Sequence, residues 1–270
     1  MKLAISNIAW PLEEERRVAA VMGELGIRGV EVAPTKPWPA PLEATPEEVR
    51  SYRASWNDRG IEIVALQALL FGRPELTVFE SAETRARTLD YLKGIAHLGA
   101  QLGARALVFG SPRSRRVGAL PREEALAIAI DFFRAAGESA AAEGVMLCVE
   151  PNPTQYECDF VTESAEGLEL VRAVDSAGFG LHLDAAGMTL SGEDLPAALE
   201  ACSGAICHFH VSEPFLGPIG EGGVDHATIA ATLRRIAYPG WVSVEMRHDP
   251  DRETVSEIRH VLELLAATYS

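Results

Sequence analysis

Short apolar runs recur along the chain, each introduced by a small residue. The instances are LGIRGVEVA, RGIEIVALQ, LGARALVFG, EGVMLCVEP, AGFGLHLDA, SGAICHFHV and YPGWVSVEM, with Gly26, Gly60, Gly103, Gly144, Gly178, Gly204 and Gly240 at their heads. Richness in Val, Ile, Leu and Phe predicts a strand for each run. Each glycine falls where a preceding helix should stop, a position that exploits its access to the left-handed conformation. With the opening segment LAISNIA the pattern gives eight strands.

Helical stretches with recognisable starts lie between the runs. Thr45-Pro46-Glu47-Glu48 combines a capping hydroxyl, a proline in the first turn and a glutamate placed for a capping box. Pro121-Arg122-Glu123-Glu124 opens a second helix, Asp225 caps a third, and Asp251 or Glu253 begins the last. Strands alternating with helices predict a parallel sheet with crossover connections. Eight such units in 270 residues predict an α/β fold of the (β/α)8 TIM barrel kind. An open doubly wound sheet is the competing arrangement. A dinucleotide fold is disfavoured, because no glycine fingerprint follows the first strand. No linker or composition break interrupts residues 1–270, which read as a single barrel domain.

Composition narrows the partners. With 47% hydrophobic and 23% charged residues the chain reads as an ordinary soluble globular protein. A net charge of -15 argues against nucleic acid and anionic membrane surfaces as partners. Cys148, Cys158, Cys202 and Cys207 show no CxxC spacing, and most sit in or beside apolar runs, which suits free thiols in a reducing compartment. The start MKLAISNIAW lacks a cleavage-site pattern, and no stretch approaches the apolar length of a membrane span, so a cytoplasmic location is expected.

The candidate chemistry lies where the apolar runs end, since the carboxyl ends of barrel strands carry the active site. The run VMLCV closes in Glu150, GLHLD in Asp184, CHFHV near His210 and VSVE in Glu245. Three carboxylates on a low-dielectric rim repel one another and lose hydration unless a cation compensates. Glu150, Asp184, His210 and Glu245 are therefore read as metal ligands. Oxygen-rich ligation with one nitrogen and room for further ligands suits octahedral Mn2+, the preferred ion, or Mg2+ or Co2+, ahead of a closed tetrahedral zinc site; Zn2+ stays open. The strand period of two puts His182 beside Asp184 and His208 beside His210 on the same faces. Both then lie one layer below the metal as core or supporting histidines, with His208 as the competing ligand.

These residues resemble the xylose isomerase-like barrels, which include ketohexose 3-epimerases, hydroxypyruvate isomerases and inosose dehydratases. The likeness covers nearly the whole chain. It rests on the Glu150, Asp184, His210, Glu245 series, on HFH followed by Glu213, and on the ending GEGGVD to YPGWVSVE. The resemblance implies that Glu150 and Glu245 both bind the metal and carry protons. It implies isomerisation or epimerisation of a sugar, keto-sugar or sugar phosphate through a metal-stabilised enediolate. Three sugar-reading positions of the ketohexose 3-epimerases differ. Gly187 stands for a histidine, Leu216 for an arginine, and Tyr156 for a glutamate, with Glu157 next to it.

Further substrate contacts are expected on the rim: Asn7 and Trp10 after the first strand, Gln67 after the third, Asn152 after Glu150, and Arg247 after Glu245. Glu31, Lys36 and Phe71 occupy comparable places, and Trp10, Trp38 and Phe71 could wall a pocket. In SPRSRRV, Arg113, Arg115 and Arg116 suit a phosphate or carboxylate grip, against a plain solvated loop. Other reactions remain open on the same site: β-elimination by a lyase or dehydratase, and metal-dependent phosphodiester cleavage, which the acidic balance disfavours. A non-catalytic sugar-binding barrel is the remaining alternative. The expected partner is a small carbohydrate, and self-association into a homo-oligomer is left open.

Overall fold

The β-branched and aliphatic runs become strands because they can be buried on both faces, as a barrel wall requires. The computed structural model describes residues 1–270. Its strands are β1 (Lys2–Ser6), β2 (Gly29–Val32), β3 (Glu62–Leu66), β4 (Ala106–Phe109), β5 (Met146–Val149), β6 (Phe179–Asp184), β7 (Ile206–Ser212) and β8 (Trp241–Glu245). They lie parallel in sequence order, and β1 pairs with β8, with Lys2 opposite Trp241 and Ile5 opposite Val244. That pairing closes the barrel and disposes of the open-sheet alternative.

The helices are α1 (Glu15–Glu24), α2 (Pro46–Asn57), α3 (Ala82–Leu102), α4 (Arg122–Ala142), α5 (Ser164–Val174), α6 (Ala185–Leu190), α7 (Leu195–Cys202), α8 (His226–Arg235) and α9 (Thr254–Tyr269). The capping box forms on α2: Thr45 Oγ1 accepts from the Glu48 N–H at 3.3 Å, and Glu48 Oε2 accepts from the Thr45 N–H at 2.8 Å. Asp225 caps α8, and of the two candidates for α9 it is Glu253 that accepts the Ser256 N–H, at 2.7 Å.

The glycine expectation needs correction at three positions. Gly26, Gly60, Gly103 and Gly144 have positive φ, whereas Gly178, Gly204 and Gly240 do not. Gly178 is small for a different reason: a Cβ there would collide with the Gly137 carbonyl and the Ala141 backbone of α4.

The main apolar core joins the outer strand faces to the helices. A separate small cluster, Ala4, Val64, Ala65, Ala106 and Cys148, packs with Met146, Cys207 and Trp241. Cys148 has the parity of Glu150, so this cluster lies beneath the polar mouth. All four cysteines are free thiols. No helix is long and apolar enough to cross a membrane.

Candidate metal centre

Four adjacent strands, β5 to β8, bring polar side chains to one end of the barrel. Glu150 follows β5 directly, and its N–H still donates to the Phe109 carbonyl of β4 at 3.2 Å, so the ladder fixes its direction. Asp184 closes β6 and caps α6, its Oδ1 accepting from the Gly187 N–H at 2.6 Å and its Oδ2 from Ser212 Oγ. His210 stands opposite Asp184 in the β6–β7 register, and Glu245 opposite Ser212 in the β7–β8 register. One ligand atom from each of Glu150, Asp184, His210 and Glu245 lies within 4.8 Å of all the others.

The orientation of His210 tests whether this set fits a cation. Its Nε2 lies 2.9 Å from Glu31 Oε2, which also accepts Ser243 Oγ at 2.8 Å and sits 3.4 Å from His208 Nε2. With Nε2 committed to a fully buried carboxylate, Nδ1 turns to the mouth, 3.3 Å from Glu245 Oε2 and without a hydrogen bond of its own. An imidazole held at one nitrogen by a carboxylate, with the other aimed among three acids, is the arrangement a metal-ligating histidine takes. The donor set fits a hard divalent ion.

The electrostatics agree. Burial, followed by the charges of Glu245 and Asp184, raises Glu150 to about 8. Burial and then Glu245 raise Asp184 to about 6. Burial alone would depress His210, but Glu31 and Glu245 outweigh it and lift the imidazole well above its ordinary value. Burial would raise Glu31, yet His210 and His208 hold it well below the usual carboxylate range. His182 is lowered by burial first and by the charges of His210 and His208 next, so it stays neutral. Its ring packs edge-on to His210 at 4.1 Å, and both of its nitrogens lack partners. His182 and His208 are both buried, His182 within ligand distance of Glu150 and His210, and His208 within ligand distance of Glu31 and His210.

Above this floor opens a cavity of about 430 Å³. Gln67, Asn152, Glu213 and Arg247 line it, together with Tyr156, Phe215 and Leu216. Gln67 Nε2 donates to Ser6 Oγ, and Asn152 Nδ2 donates to the Glu150 carbonyl at 3.2 Å. The Arg247 N–H donates to the Leu216 carbonyl at 2.9 Å, joining the two rim segments. The Phe215 N–H donates to Tyr156 Oη at 2.9 Å, and the two rings meet edge-on. Glu213 faces the cavity but spends its oxygens on the loop after β7: it accepts the Gly220 and Val224 N–H groups and lies 3.2 Å from His226 Nε2.

Five candidates from the sequence lie elsewhere. Asn7 is buried, its Oδ1 accepting the Ala33 N–H at 2.9 Å to tie the ends of β1 and β2. Trp10 is fully buried in the core, where Lys36 Nζ donates to the Asn7 and Trp10 carbonyls and draws the segment inward. Arg113 and Glu157 pair with each other at 3.1 Å on the surface, and Arg116 is exposed. The short 3-10 turn Pro112–Arg115 explains this: it sends Ser114 and Arg115 inward and leaves Arg113 and Arg116 outside.

Two residues that the sequence places among the rim candidates are instead fully buried beside the site. Arg115 is completely buried, donating to the Glu150 carbonyl at 2.5 Å and to the Phe109 carbonyl at 3.5 Å. Glu31, likewise a rim candidate from the sequence, is fully buried, and the charge inside the apolar run GVEV flags a buried partner without naming it.

Comparison with known proteins follows the same lines. An L-ribulose 3-epimerase of Mesorhizobium japonicum is 31% identical over 108 residues, a stretch spanning 40% of this chain and only 36% of that protein. An L-ribulose 3-epimerase of Methylomonas sp. is 23% identical over 240 residues, covering 87% of this chain and 79% of its own. The crystal structure of D-psicose 3-epimerase with D-tagatose from Clostridium cellulolyticum H10 superposes with a TM-score of 0.84 over 100% of both chains, at 16% identity. Residues 19–267 match the family described as xylose isomerase-like TIM barrel, and the chain belongs to that family.

Proposed function

We propose that this chain is a divalent-metal-dependent isomerase or epimerase of keto-sugars, in which Glu150 and Glu245 exchange protons with the carbon beside the carbonyl. The observation that supports it most is the gathering of three carboxylates on the lining of a substrate-sized cavity, with a ring nitrogen of buried His210 within ligand distance of all three. Glu150, Asp184, His210 and Glu245 would hold the cation, and Mn2+, Mg2+ or Co2+ suits their oxygen-rich set. When bound, such an ion polarises a carbonyl and offsets the negative charge that develops on its oxygen.

The protein groups do the rest. Glu150, pushed up to about 8 by burial and by its neighbouring acids, is ionised once a cation is held beside it and can then take a proton from carbon. Glu245 ends a strand three removed around the barrel, so the pair can serve opposite faces of one carbon. Gln67, Asn152 and Arg247 offer hydrogen-bonding groups to sugar hydroxyls, and Tyr156 and Phe215 offer aromatic surface to a sugar's apolar face.

The test is a panel of keto-sugars incubated with the metal-loaded protein in deuterium oxide. The expected result is deuterium beside the carbonyl in recovered sugar, together with an isomer of unchanged composition. Loss of water from the product would assign β-elimination instead, and no exchange with any keto-sugar would overturn the reading. Glu245→Gln should slow exchange by roughly 10²–10⁴-fold, the usual contribution of a positioned acid or base.

A further inference from the structure

A second pocket, of about 450 Å³, opens beside the catalytic cavity between the segments that follow β3 and β4. The Val78 N–H donates to the Ser114 carbonyl at 2.8 Å and joins the two segments. Ala68, Ser111 and Pro112 line both spaces, so the cavities meet at these three residues. Ala68 (φ 52°) and Ser111 (φ 35°) are both left-handed there, a conformation unfavourable for residues with a Cβ that tends to cluster where ligands are held.

The lining of the outer pocket defines its ligand. Leu70, Phe71, Pro74 and Pro112 make it largely apolar, and Phe71 is 70% exposed, the most exposed large apolar side chain of the molecule. Its two cations are already engaged, Arg73 with Glu75 at 2.6 Å and Arg113 with Glu157 at 3.1 Å. A pocket with paired charges and an unpartnered aromatic face suits an uncharged ring better than a phosphate.

We infer that the substrate is a glycoside: the keto-sugar occupies the inner cavity, and an uncharged second ring attached to it leaves past Ala68, Ser111 and Pro112 to stack on Phe71. The second ring is a further pyranose or an aryl group, which present the same apolar face. This rests on the proposed reaction at the inner site, but its test reads binding and not turnover.

Calorimetric titration of the metal-loaded protein with a ketopyranose methyl glycoside, and with its phenyl and glucosyl counterparts, supplies that test. At least one of the larger glycosides should bind about tenfold tighter than the methyl compound, as an aromatic stacking contact implies. The phenyl and glucosyl arms tell which ring is preferred. Phe71→Ala should bring the favoured glycoside down toward the methyl compound. Equal affinity for all three, or an equal loss for all three in Phe71→Ala, would overturn the inference. So would a mass in solution showing self-association that Phe71→Ala abolishes, since Phe71 would then be covered by a second copy. Absence of deuterium exchange with every sugar would count against the inner-site reaction and leave this preference in dissociation constants to be judged separately.

Discussion

Glu31 shows how one side chain sets the chemistry of another. Its Oε2 meets His210 Nε2 and Ser243 Oγ in a fully buried position, so the proton of the imidazole is drawn to Nε2 and the lone pair of Nδ1 is left for a cation. Glu31→Gln keeps the shape and removes the charge. Such a change in the partner of a ligating histidine weakens metal binding by about 10–100-fold. Calorimetric metal titration of the stripped variant, with circular dichroism to verify folding, measures it; wild-type affinity would mean that His210 needs no carboxylate behind it. Sequence alone could not supply this contact, because Glu31 and His210 are 179 positions apart and only barrel closure brings them together. The candidate ligand positions rest on the opposite kind of signal, a local one: Glu150, Asp184 and Glu245 close their apolar runs, and His210 lies two residues before the end of its strand.

At the level of elements, the strands and helix starts were readable because hydrophobic runs and caps act over a few residues. Thr45 with Glu48, and Asp225 with Thr228, form the contacts their spacing implies. The short turn after β4 was not readable in this way. Three arginines crowd SPRSRR, and nothing in the string says that the middle one enters the core, since the answer depends on how the 3-10 turn is rotated against β5. Once inside, the Arg115 guanidinium bridges the Phe109 and Glu150 carbonyls and fixes where β4 and β5 end. Arg115→Met should cost roughly 1.5–3 kcal/mol, the range for hydrogen bonds made by a charged group, read as a lower midpoint in urea at unchanged slope. Arg115→Lys should recover only part of this, because an ammonium cannot span two carbonyls as a planar fork does. Full stability in Arg115→Met would show that the turn holds without it.

For the whole molecule, the mouth concentrates negative charge in a chain whose net charge is already -15. Burial and mutual repulsion keep Glu150 protonated up to about 8 and Asp184 up to about 6 in the folded state without a cation. A carboxyl whose pKa is higher folded than unfolded favours the fold at low pH, and that advantage is lost as pH rises from about 4.5 through about 8. The metal-stripped protein should therefore lose thermal stability across that window. Bound divalent cation reverses the balance, because it needs the carboxylates ionised and Nδ1 of His210 unprotonated. Saturating metal should raise stability by about 2.7 kcal/mol at a hundredfold excess over Kd, most visibly near pH 8. Near neutrality, uptake should expel protons from Glu150 and His210, seen as a binding enthalpy that changes with the ionisation heat of the buffer. A stripped protein whose Tm ignores pH, and a titration independent of buffer, would together mean that the acids do not share a cation. The barrel would then stand without the chemistry assigned to its mouth.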